Sequence, residues 1–204
     1  MIPALPSYLI KEHVGVFKMR GTYDIFDPST GTQVALAREK KGLLNILAGF
    51  FMSKRMLPTR IDVHEGADEN GPVAFSITRG FSFLRPTVQV VAGDGSAIGT
   101  FKTRLLTIGG KFGVFDGAGN EVAQVKGSWL SWDFRFIGAG GTELGVVSRK
   151  WGGLAKELFT SADNYVVAMH NPDPAAAILL LAAGLAVDTV YKEDEGGGGL
   201  TIGE

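Results

Sequence analysis

The chain contains no cysteine. That removes disulfides, thiolate metal sites and cysteine nucleophiles together, and it fits a cytoplasmic protein. Histidine is nearly as scarce: His13, His64 and His170 are the only 3, and no metal-ligand spacing relates them. Neither sign of charge prevails, with 20 basic residues against 21 acidic ones and a net charge of −1. A dedicated nucleic-acid binder carries a basic excess, so no nucleic-acid partner is expected. No G-x-S-x-G, H-E-x-x-H or Walker sequence occurs, and no G-x-G-x-x-G leads from a strand into a helix. Those absences predict a non-enzyme with no catalytic residues and no cofactor. The opening "MIPALPSYLIKEHVGVF" has no cationic region ahead of an apolar stretch, so it does not read as a signal peptide. Apolar runs long enough to span a bilayer are also missing, and no transmembrane span is expected.

Glycine, in contrast, is abundant at 29 residues, in a chain that is otherwise ordinarily apolar (45%) and ordinarily charged (20%). Most glycines stand beside Asp, Asn or Ser between two apolar segments. The pattern recurs in "YDIFDPSTGTQVALA" (23–37), "VQVVAGDGSAIGTF" (88–101), "FGVFDGAGNEVAQV" (112–125) and "FRFIGAGGTELGVV" (134–147). Such turns supply the positive φ that short hairpins need. Further strands show period-two alternation. Ile61 and Val63 oppose Asp62 and His64, Phe81 and Phe83 flank Ser82, and Trp132, Phe134 and Phe136 oppose Asp133 and Arg135. His64 is therefore assigned to a polar surface face, and Trp132 to core packing, with Trp129 free to interact. Ten to twelve strands joined by hairpins, roughly counted, predict an antiparallel meander, either a sandwich or a closed barrel.

Two segments interrupt the strands. "KKGLLNILAGFFMSKRMLP" (40–58) reads as a short helix or an apolar loop. "NPDPAAAILLLAAGLAVDTVYKEDE" (171–195) is apolar or glycine without a break from Ala175 to Val187. Asp173 can cap a helix there and Pro174 can open it. A helix through Val190 would be about 24 Å long, short of a bilayer core of about 30 Å. It is apolar on every side, so it must be surrounded by protein. A barrel of about twelve strands has room for it. The predicted fold is thus a mainly β, closed antiparallel barrel enclosing a hydrophobic C-terminal helix at 174–191. One domain would span 1–195, followed by a flexible glycine-rich tail at 196–204.

"YDIFDPSTG", then "SRKWGGLAKELFTSADNYVVAM" and the apolar C-terminal helix, resemble the phospholipid scramblase and LURP-one-related families of the tubby C-terminal-like superfamily. The likeness runs in order over residues 8 to 192. It implies a twelve-stranded antiparallel barrel around a hydrophobic helix. It also implies two functional expectations. One is a cytoplasmic binding or scaffold protein that meets acidic phospholipids or a protein partner, peripherally at a membrane. The alternative is a membrane-inserted, calcium-dependent lipid translocator. The family's calcium segment is acid-rich; here Asp163 and Asn164 match it, Ser161 replaces its first acid, and Pro172 and Pro174 fall where the resemblance implies acids, with Asp173 between them. Calcium wants six to eight oxygens, so no metal site is expected. The headgroup candidates are three basic pairs: Lys54 and Arg55 after an apolar stretch, Lys102 and Arg104 on one strand face, and Arg149 and Lys150 before Trp151.

Overall fold

The computed structural model describes residues 2–13, 21–40, 58–80, 87–103, 112–128, 132–149, 164–170 and 174–187. Twelve strands follow one another along it. They are β1 (Ser7–Glu12), β2 (Thr22–Phe26), β3 (Gln33–Lys40), β4 (Thr59–Glu65), β5 (Val73–Arg79) and β6 (Thr87–Ala92), then β7 (Ala97–Thr103), β8 (Phe112–Asp116), β9 (Glu121–Ser128), β10 (Asp133–Ile137), β11 (Glu143–Ser148) and β12 (Asn164–Met169). Each pairs antiparallel with its neighbours in sequence, and β1 pairs β12, with Tyr8 opposite Val167 and Ile10 opposite Tyr165. The meander is therefore closed, and closure leaves no sheet edge to pair with another chain. Of the two architectures left open by the strand pattern, this is the barrel.

The four hairpins expected from the glycine turns form at one end. Three of them share a device, and the fourth, between β10 and β11, turns on Gly140 and Gly141 at positive φ instead. Asp27 accepts a hydrogen bond from the Ser29 amide (2.8 Å), Asp94 from the Ser96 amide (2.9 Å), and Asp116 from the amides of Ala118 (3.0 Å) and Asn120 (2.8 Å). An aspartate that bonds its own backbone two residues on preforms the turn. Gly95 and Gly119 then take φ values of 90° and 88°, where an L side chain is strained. A fifth hairpin, β4–β5, turns through "GADENGP", with Asp68 accepting from the Asn70 amide (3.0 Å). The expectations for 41–57, Phe81 and Phe83, Trp129 and the tail at 196–204 lie outside the described residues.

Alternate residues of each strand point inward, as the pleat requires. Into this lumen runs α1 (Pro174–Ala186), whose residues from Leu179 onward are all buried. The helix touches β12 on one wall and β6 and β7 nearly across the ring from it. A side chain at Gly184 would lie 2.6 Å from Val167, and Leu179 already sits 2.5 Å from where a Cβ of Gly99 would be. Glycines at these two places let helix and wall approach closely. The lumen is accordingly one continuous apolar cluster of strand and helix residues. The helix was expected over 174–191; its described part ends at Ala186, and Asp173 and 188–191 lie outside the described residues. Among the described residues, no helix is long and apolar enough to cross a membrane. The outer wall bears Gln89, Lys102, Lys126 and Arg135 in exposed positions. The lumen is apolar, whereas the interior of a membrane barrel is polar.

His64 corrects one expectation. It is on the outer face, as the alternation requires, yet it is only 5% exposed. Its Nδ1 lies 2.9 Å from the Gly71 carbonyl, in the β4–β5 turn. Asp62, also on the outer face, is 1% exposed. Period-two alternation tells which face a residue occupies. It does not tell whether that face is wet.

Candidate functional site

Among the described residues, three features are candidates for a site. The first is on the outer wall across β3, β4 and β5. The register places Asp62 opposite Arg38 on one side and Ser76 on the other. The Asp62 carboxylate accepts from Lys40 Nζ, Arg60 Nε and Ser76 Oγ, each at 2.7 Å. Burial by itself pushes this carboxyl up; the bonds from Lys40, Ser76 and Arg60 outweigh it and hold Asp62 below the ordinary aspartate range. Lys40 and Arg60 keep about half their surface in water, so the group is a satisfied brace between strands. A second brace joins β2 and β3 to the residue after β1: His13 pairs with Asp24, whose other oxygen accepts from Gln33 Nε2 at 3.0 Å.

The second constellation is at the end of the barrel opposite the hairpins. Trp132 precedes β10 with φ of 48°, a left-handed conformation unusual for a residue with a large side chain. Its ring meets Phe134 edge-on at 6.1 Å and Tyr165 at 5.5 Å. Arg149, just past β11, donates its amide to the Trp132 carbonyl (3.3 Å) and lays its guanidinium 3.9 Å from the centre of the indole. The Arg149 Nε is buried and finds no hydrogen-bond partner among the described residues. Stacking fixes a guanidinium without using up its terminal N–H groups, and where those reach solvent they suit the oxygens of a phosphate. The strained Trp132 backbone and the stacked cation thus form one unit.

The third is a cavity of about 300 Å³ at the hairpin end, between α1 and the wall of β8 to β11. Sequence reading missed it. Val114, Ala123, Phe136, Leu144, Leu179 and Leu180 line it, and each reads in sequence as ordinary core.

The sequence-predicted residues are scattered among these. Arg149 belongs to the stacked unit. Lys102 is on the outer face of β7, its Nζ 4.5 Å above the Phe115 ring. Four strand spacings separate β7 from β11, about 19 Å of wall, so these two cations do not form one site. Lys54, Arg55, Arg104 and Lys150 lie outside the described residues. So do Asp163 and Asp173, whereas Asn164 opens β12 and is buried, opposite Lys11. Among the described residues no three His, Asp or Glu side chains are placed to hold a metal ion.

Comparison with known proteins accords with this geometry. The model of the family described as Scramblase matches residues 14–194. The X-ray structure of a protein from Arabidopsis thaliana superposes with a TM-score of 0.52 at 16% identity, over 91% of this chain and 94% of that one. At that identity the likeness concerns the fold alone. No curated protein matches the chain.

Proposed function

Because the chain belongs to the Scramblase family, we propose that it is a non-enzymatic binding or scaffold protein that meets acidic phospholipid headgroups peripherally, from the cytoplasm. The observation that carries this reading is Arg149, a part-exposed guanidinium held over Trp132 at the end of the barrel. A phosphate could take the N–H groups that stacking leaves available. Lys102 offers a separate, weaker contact as an exposed point charge. Translocation of lipid by a membrane-inserted chain is the other expectation. It would require α1, which the lumen holds on opposite walls, to leave its packing.

Vesicle co-sedimentation tests the reading. Binding should appear with anionic vesicles and be absent with zwitterionic ones, and it should weaken with salt. Each basic residue near an anionic surface contributes about 1 kcal/mol, so Arg149→Ala should weaken binding about fivefold. Arg149→Lys keeps the charge but not the planar stacked fork, and should recover only part of it. Equal binding to zwitterionic vesicles, or no effect of Arg149→Ala, overturns the reading. Calcium-stimulated lipid exchange between leaflets of reconstituted vesicles would replace it with the translocator.

A further inference from the structure

The cavity at the hairpin end has an apolar interior and an acidic rim. Inside, Val114 of β8, Ala123 of β9, Phe136 of β10 and Leu179 and Leu180 of α1 offer no side-chain hydrogen-bonding group. Leu179 and Leu180 keep 7% and 6% of their surface accessible, whereas Leu181 and Leu185 keep none. The apolar surface continues outward onto Val122, which is the large hydrophobic side chain left exposed among the described residues. Interiors pack densely and seldom keep an unfilled apolar space, because its lining atoms lack contacts. A volume of about 300 Å³ is at the lower limit of small-ligand sites.

Charge at the rim narrows the occupant. Asp116 lines the mouth. Its Oδ1 serves the turn amides of Ala118 and Asn120, while Oδ2 accepts the Asn120 side chain at 3.1 Å and has capacity for another donor. His170, also at the mouth, has Nε2 at 3.4 Å from Glu143, whose other oxygen takes Arg135 at 3.2 Å. Asp116 and His170 are thus the ionisable side chains among the lining residues, and the His170 imidazole is engaged by the Glu143 carboxylate. The N-terminus of α1 adds roughly half a positive charge, less than the full charge of Asp116. An anionic head would meet Asp116 unfavourably.

We propose that this cavity binds a single-chain amphiphile with a cationic head, the alkyl chain against Val114, Ala123, Phe136 and Leu179 and the ammonium at Asp116. The site is at the opposite end of the barrel from Arg149 and prefers the opposite charge, so neither proposal depends on the other.

Calorimetric titration of the whole chain with octylamine, and separately with octanoate, tests it. Octylamine should bind saturably and several-fold more tightly than octanoate, as a solvent-exposed carboxylate at the mouth would favour the ammonium. Asp116→Asn keeps the turn acceptor and removes the charge, and should bring the two ligands close together in affinity. Ala123→Leu fills the cavity and should abolish octylamine binding without lowering the melting temperature. Ala176→Leu fills it from the helix side if Ala123→Leu does not fold. The proposal fails if octanoate binds as tightly as octylamine, if octylamine shows no saturable binding, or if a folded, filled variant binds it as the parent does.

Discussion

Asp62 shows how much of the outer wall rests on one carboxylate. Its pKa is depressed, so the stability it contributes is present above the ordinary aspartate value of about 3.9 and is lost as pH falls through the lower folded value. The melting temperature should hold from neutral pH to about 5 and fall steeply below about 4. Asp27, Asp94 and Asp116 are depressed by their turn hydrogen bonds and add to the same acid-side loss. Comparison with Asp62→Asn separates its share: that variant should be about 1–3 kcal/mol less stable at neutral pH and show a shallower acid decline. An unchanged acid limb would mean that the brace is energetically idle. Gly184 makes the opposite kind of prediction, one of crowding. Alanine usually favours a helix over glycine by about 1 kcal/mol. Here the new methyl would sit 2.6 Å from Val167, whose branched side chain is stiff. Gly184→Ala should therefore destabilise by about 1–2 kcal/mol in denaturant unfolding. Trp132, Phe134 and Phe136 were legible in the sequence as inward residues, since alternation alone places them. The burial of Asp62 and His64 was not, because partners from neighbouring strands cover them.

The elements divide by the range of the signals that form them. Three of the four expected hairpins turn on an aspartate two residues before an amide, and the fourth on Gly140 and Gly141 at positive φ; all four form. The helix announces itself by lacking a polar side, which no surface helix can do. Its central place gives the sharpest test. Leu181 has no exposed surface, so Leu181→Asp would force a carboxylate into the lumen at a cost of several kcal/mol. Soluble, cooperatively melting protein should not be recovered. A Leu181→Asp variant that melts with the parent would show that the helix is not the core of the barrel. The strained turn at Trp132 had no local signal of its own. Its backbone is set by the contacts of the indole with Phe134, Tyr165 and Arg149, which come from three separate strands or strand ends.

At the scale of the molecule, a packed lumen and a polar wall act together. Apolar side chains are spent on enclosing α1, and Gln89, Lys102, Lys126 and Arg135 are left to water. After lysis the chain should appear in the supernatant without detergent. Recovery only with detergent would oppose both the packed lumen and the peripheral-binding proposal. Closure also has a consequence that no strand carries alone. It assembles a stacked cation at one end and an apolar cavity with an acidic rim at the other. The two ends then differ in the charge they select, although the net charge of the chain is only −1.

By itself the sequence determined the strands, the hairpin turns and the need for an enclosed helix. These depend on period-two alternation, on aspartate and glycine acting over a few residues, and on a helix with no face for water. Tertiary structure alone decided which outward residues are dry. Leu9 and Val166 point away from the lumen and are nonetheless 1% and 0% exposed. It also decided which cations stand apart and where the cavity lies. Arg149 meets Trp132 across a β10–β11 pairing, and the cavity joins Val114 to Leu180. Such neighbours are far apart along the chain, and only ring closure around the helix brings them into contact.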